Sequence, residues 1–147
     1  MKMFLRIKSV IAIAILFAAI HTKAQTNKNW NSKQLMAPSE LASLLSAKKT
    51  LPLIISVGPG AYIEHSVSIG PVDNADGVEK LKKELGNHKT ETKIVLYCGC
   101  CPFEHCPNVR PAIEALKAMH FTNYYLLNLS TNIKTDWINK GYPVMKL

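Results

Sequence analysis

The chain has 147 residues, 48% of them apolar and 19% charged, with 7 glycines and 8 prolines. That is the size and composition of one globular domain, and it excludes collagen-like repeats, low-complexity disorder and a polytopic membrane protein. The formal charge of +8 invites a nucleic-acid reading, but Lys2, Arg6, Lys8 and Lys23 crowd into the first 24 positions; without them 14 basic residues face 10 acidic ones, a net +4. The remaining lysines form no stripe interleaved with aromatics, so no nucleic-acid partner is expected.

Residues 1–24 combine three basic side chains before Ser9, an unbroken apolar run Val10–Ile20 and a polar exit His21-Thr22-Lys23-Ala24. This is the pattern of a secretory signal peptide. The run falls short of the roughly 20 residues that a membrane-spanning helix needs, and the small residues Thr22 and Ala24 suit cleavage after Ala24. The expectation is an exported protein, periplasmic or secreted, without stable membrane insertion once cleaved. Residues 25–33 are expected to be a flexible lead-in and residues 34–147 the domain.

Leu35-Met36 predicts a short strand. Pro38 then opens a helix with Ser39 as its N-cap, and Leu41, Leu44 and Leu45 recur at helical spacing. Leu53-Ile54-Ile55-Ser56-Val57, between Pro52 and Gly58-Pro59-Gly60, reads as a buried strand ending in a turn. A minor strand is expected at Val67–Ile69. Asp76 and Glu79 have the spacing of a capping box, Val78, Leu81 and Leu85 share one helical face, and Gly86 supplies the stop. Ile94-Val95-Leu96-Tyr97 is a second buried strand, running straight into Cys98. From about Asn108, the residues Val109, Ala112, Ile113, Leu116 and Met119 follow helical spacing, with Pro111 tolerated in the first turn. Tyr124–Leu127 predicts a further strand, and Ile133 and Trp137 mark a last helix that Gly141 ends. Strands alternating with helices imply an α/β fold with a mainly parallel sheet, in which sites gather beyond the C-terminal ends of the strands.

All four cysteines, Cys98, Cys100, Cys101 and Cys106, lie within nine residues. A disulfide framework clips distant segments together, whereas this cluster closes only tiny loops. It therefore belongs to a site. A loop between a strand end and a helix start presents backbone N–H groups and the positive end of the helix dipole, which favour a thiolate over a thiol. Cys98, the first residue after the strand, is the best-placed nucleophile; Cys106, nearer the helix, is the alternative, with Cys98 as its resolving partner. Arg110 sits in the first helical turn, where a cation opposes the dipole. That placement makes sense if its guanidinium faces a bound anion.

At these residues the sequence resembles the rhodanese-like family. The likeness runs from about Leu35 to Val144 and includes LPLIISV, YIEHSVSIGP, the IVLYC junction, AIEALKAMHFTN and the closing DWINKGYPV. It implies a single rhodanese-like α/β domain in which Cys98 takes a sulfane sulfur from a donor such as thiosulfate and passes it to a thiophilic acceptor. By the same resemblance, the loop amides around Gly99, Cys100, Pro102 and Phe103 hold the persulfide; Arg110, from its place in the first helical turn, is expected to draw in the anionic donor. Cys100, Cys101 or Cys106 would resolve it. The expected partners are a small sulfur-containing anion and a thiol acceptor, with no cofactor and no metal. The chain departs from the family pattern in carrying Ser56 and Gly58 where an Asp-x-Arg is common. Its active loop, CGCCPFEHCPNVR, is also longer than the familiar six-residue one.

Other chemistries use the same residue types. Cys98 and Cys101 form a CxxC suited to thiol–disulfide exchange, although it comes late in the chain for a thioredoxin fold. Four thiols with His105 are soft-metal ligands, but adjacent Cys100 and Cys101 sit awkwardly for one tetrahedral ion. Phosphatase chemistry of the Cys-x5-Arg kind is disfavoured, because the residues six places after Cys98, Cys100, Cys101 and Cys106 are Glu104, Cys106, Pro107 and Ala112.

Overall fold

The computed structural model describes residues 29–47 and 50–146; the signal-peptide expectation for residues 1–24 lies outside them. Five strands form one sheet: β1 (Leu35–Met36), β2 (Leu53–Ser56), β3 (Ser66–Ser68), β4 (Ile94–Tyr97) and β5 (Tyr124–Leu127). Their order is β1-β5-β4-β2-β3 and every pairing is parallel. Four α-helices accompany them: α1 (Pro38–Ser46), α2 (Ala75–Leu85), α3 (Val109–Ala118) and α4 (Ile133–Asp136). Among the described residues no helix is long and apolar enough to cross a membrane.

β4 is central and all four of its residues are buried, as a strand covered on both faces must be. Because side chains alternate along a strand, Ile94 and Leu96 pack with Ile55 and Leu126 against α2 and α3, through Leu81, Leu85, Val109, Ile113 and Leu116. Val95 and Tyr97 face the other layer, where Met36, Leu41 and Leu45 of the β1–α1 unit meet Ile54, Leu127, Ile133 and Trp137. The molecule is thus three-layered, with α2 and α3 on one face of the sheet and α1 and α4 on the other. Cys98 continues the alternation onto the α2–α3 side.

The helix ends differ from the sequence expectations. Pro38 is the first residue of α1 and Ala37 stands at the cap with no side-chain bond, so Ser39 lies inside the first turn instead of capping it. Asn74 caps α2, its Oδ1 accepting from the Gly77 N–H at 2.9 Å. Glu79 pairs instead with Lys82 at 2.9 Å, and Gly86 ends the helix in an ordinary right-handed conformation. β3 begins at Ser66, one residue earlier than expected, because its register is set by pairing with β2. The last helix divides into α4 and a 3-10 turn, Ile138–Lys140, after which Gly141 takes a left-handed φ of 69° that suits glycine. Within the stretch read as lead-in, Trp30 is buried and Asn31 opens a 3-10 turn over Ser32–Gln34.

Candidate functional site

In a parallel sheet all strands end on the same edge, and the loops after β2 and β4 lie side by side there because these two strands pair. Cys98 follows β4 and Gly58 follows β2. The approach is close: a Cβ on Gly58 would lie 2.5 Å from Cys98 Sγ. The absence of a side chain at position 58 therefore makes the room in which the Cys98 sulfur sits.

The loop from Cys98 to Asn108 folds back on itself and gathers all four sulfurs, whose Sγ atoms lie within 4.8 Å of one another. Cys98 and Cys106 are buried, at 1% and 0% exposure; Cys101 is half-buried and Cys100 exposed. Cys100 Sγ is 3.4 Å from Cys98 Sγ and 3.3 Å from Cys101 Sγ, and all four cysteines are free thiols. Gly99 is packed against Ile133, where an added Cβ would come to 3.0 Å, and its carbonyl accepts from the Ile133 N–H at 3.0 Å. These contacts tie the loop to α4.

Phe103 pins the far side of the loop. Its ring is buried 5.9 Å from that of Trp30, and its N–H donates to the Leu129 carbonyl at 3.1 Å. That amide, which the sequence reading assigned to anion binding, is already spent within the fold. Pro102 precedes a 3-10 turn, Phe103–His105, and the Cys106 N–H donates to the Phe103 carbonyl at 3.3 Å. Arg110 braces the same loop: Nη2 donates to the Glu104 carbonyl at 3.4 Å, and the guanidinium lies 5.6 Å from the Trp30 ring centroid.

Asn108 is the site residue that the sequence reading passed over. It is buried, and although it occupies the cap position of α3 its side chain makes no capping bond. Its Oδ1 accepts from the Val72 N–H at 2.7 Å, while Nδ2 points at Cys98 Sγ (3.7 Å) and Cys106 Sγ (3.8 Å). One amide side chain thus joins the approach to α2 to both buried sulfurs. An Asn just before an apolar helical repeat signals a cap, and nothing in the sequence turns it inward.

The sulfur pair shares its proton unequally. A hydrogen bond from Cys98 and the Asn108 N–H hold the Cys106 thiol down at about 5, against the opposing effect of burial. Cys98 is raised well above the ordinary thiol range by its hydrogen bond to Cys106 and by burial, with the Cys100 N–H pulling the other way. Burial, helped by the neighbouring Cys100 and Cys106, pushes Cys101 up to about 12. Of the two buried sulfurs, Cys106 is thus the one held lower, three residues before the start of α3, where the helix dipole also favours a thiolate.

The backbone around the site is held by Tyr97, whose side chain points to the opposite layer from Cys98. Its phenol oxygen accepts from the N–H groups of Tyr62 (3.0 Å) and Ile63 (3.3 Å) and bonds Ser66 Oγ at 3.0 Å. Ser56 Oγ donates to the Gly60 carbonyl at 2.7 Å. These bonds order the β2–β3 connection next to Gly58.

No protein-family profile matches the chain, and no curated protein does. Solved structures do. A rhodanese-like domain from Anabaena superposes with a TM-score of 0.56 at 14% identity, covering 78% of this chain and 80% of its own. A Bacillus halodurans protein gives 0.56 at 16% identity over 75% and 74% of the two chains. A single-domain sulfurtransferase from Saccharomyces cerevisiae gives 0.53 at 16% identity over 76% and 95%.

Proposed function

We propose that this chain, which has the rhodanese-like fold, is a sulfurtransferase in which Cys98 accepts a sulfane sulfur as a persulfide and passes it to a thiophilic acceptor. One observation carries the reading: Cys98, at the mouth of the central strand, sits in the room left by Gly58, with Cys100 Sγ 3.4 Å and the Asn108 Nδ2 donor 3.7 Å from its sulfur. The similarity in fold to a yeast sulfurtransferase supports the same class.

With thiosulfate as donor, the Cys98 sulfur attacks the outer sulfur, its proton passes to the Cys106 thiolate, and the S–S bond of the donor breaks. The electron pair of that bond leaves on sulfite, and the terminal sulfur of the new Cys98 persulfide carries a negative charge. The acceptor thiolate then takes the terminal sulfur, and Cys98 recovers its proton from Cys106. No net oxidation occurs in the cycle. A partner thiolate of this kind serves as a general base, the two sulfurs lying within 4.8 Å of each other. Cys100, exposed, and Cys101, half-buried, mark the side from which donor and acceptor arrive; Arg110 is taken up in bracing the loop against Glu104 and Trp30 instead of facing an anion. Export belongs to the same proposal, on the strength of the basic and apolar pattern of residues 1–24.

Mass spectrometry after thiosulfate treatment tests this. The purified protein is expected to gain the mass of one sulfur atom, reversed by a thiol acceptor, and Cys98→Ser to gain none. Retention of the sulfur in Cys98→Ser would move the nucleophile elsewhere, and its absence from the unaltered protein would sink the reading.

A further inference from the structure

A proton-sharing pair needs two sulfurs, and this loop supplies four. A zinc–sulfur bond of about 2.3 Å makes the edge of a tetrahedral thiolate site about 3.8 Å. That length falls between the 3.3 and 3.4 Å of the close pairs and the 4.8 Å that bounds all four Sγ atoms. The adjacency of Cys100 and Cys101, an objection in the sequence, is no obstacle in the fold, because their sulfurs approach to 3.3 Å and so lie on the same side.

The surroundings suit a thiolate site. The Asn108 side chain donates towards both Cys98 Sγ (3.7 Å) and Cys106 Sγ (3.8 Å). N–H donors on ligand atoms are the usual outer support of such centres. Two ligands are buried in the core and one is exposed, so the nest is anchored below and open to an entering ion above.

We infer that Cys98, Cys100, Cys101 and Cys106 also bind one thiophilic closed-shell cation of the zinc class, and that its presence shuts off sulfur transfer. Each thiol that becomes a ligand releases its proton to solvent, and no electron changes hands. Transfer stops because the lone pair with which Cys98 attacks is donated to the ion. The second half of the inference rests on the sulfurtransferase reading; the first stands on the sulfur geometry alone.

Reduced, metal-free protein is titrated with Zn2+ against a chromophoric chelator, and separately with Co2+ as a spectroscopic substitute. One equivalent of Zn2+ per chain is expected, and Co2+ is expected to give the sulfur-to-metal charge-transfer and intense visible bands of a tetrahedral thiolate centre. Cys100→Ser and Cys101→Ser should each lose that spectrum; Cys100 is exposed, so its replacement leaves the core packing in place. Asn108→Ala should weaken zinc binding by about 10–100-fold. Zinc-loaded protein should gain no sulfur from thiosulfate where metal-free protein does. Less than one equivalent in the unaltered protein, or an unchanged cobalt spectrum in both serine variants, overturns the site. Sulfur uptake by the zinc-loaded form overturns the shut-off. Zinc binding in a protein that takes up no sulfur when metal-free defeats the sulfurtransferase reading and leaves the cation site standing.

Discussion

Gly58 and Asn108 decide the sulfur geometry, and neither carries reactive chemistry. Gly58→Ala would drive a methyl group to 2.5 Å from Cys98 Sγ, forcing the sulfur out of its place. A misplacement on the scale of 1 Å costs about a hundredfold in rate, so thiosulfate-dependent sulfur loading, followed by stopped mass spectrometry, is expected to slow by about that factor. Asn108→Ala strands the Val72 N–H, which Asn108 Oδ1 accepts at 2.7 Å. Urea denaturation should show a loss of about 1–3 kcal/mol, the cost of an unsatisfied buried donor. The cysteines themselves were legible as a site from their crowding into nine residues. Which of them carries the charge was not, because that depends on where Asn108 points and on the mutual approach of Cys98 and Cys106. A residue's type shows what it can donate, and the fold determines to what.

At the scale of elements, the junction of β4 with the cysteine loop turns on alternation. Tyr97 and Cys98 are neighbours in sequence and face opposite layers, so the first organises the β2–β3 connection while the second enters the site. Tyr97→Phe keeps the ring and removes the hydroxyl that accepts from Tyr62 N and Ile63 N and bonds Ser66 Oγ, whose own hydrogen goes to the Ile63 carbonyl. A destabilisation of about 1–3 kcal/mol is expected, read as a lower thermal midpoint, with faster amide exchange confined to residues 59–66. β2 and α2 were legible because apolar patterning and flanking glycine or proline agree there, and β4, β5 and α3 from their apolar runs and spacing. Ser39 misled because Pro38 itself takes the first helical position and leaves Ala37 at the cap; the Asp76–Glu79 pair misled because Asn74, two residues before Asp76, takes the cap of α2 instead. β3 was shifted by one residue because a three-residue edge strand takes its limits from its partner.

At the scale of the whole molecule, alternating strands and helices were enough to expect a parallel sheet, and the observed sheet is parallel throughout. Less legible was the part played by the chain before β1. Trp30 gave no periodic signal, since its partners, Phe103 and Arg110, lie far along the sequence from it. Asn29 adds to the same attachment: its Nδ2 donates to the Arg110 carbonyl at 3.0 Å, and its own carbonyl accepts from Lys117 Nζ at 2.6 Å. Trp30→Ala removes a large packing surface, and chemical denaturation should record a loss of about 3–5 kcal/mol. Under native conditions the same variant should let an alkylating reagent reach Cys106 sooner than in the unaltered protein; an unchanged labelling rate would mean that the loop holds its shape without this support.

The attachment of Asn29 and Trp30 also bears on biogenesis. A chain emerging from its amino end exposes the indole long before Phe103 and α3 exist to cover it, so this packing waits for the later segments to be made. The cysteine loop thus gains this brace only after Phe103 and Arg110 have been made and have met the indole.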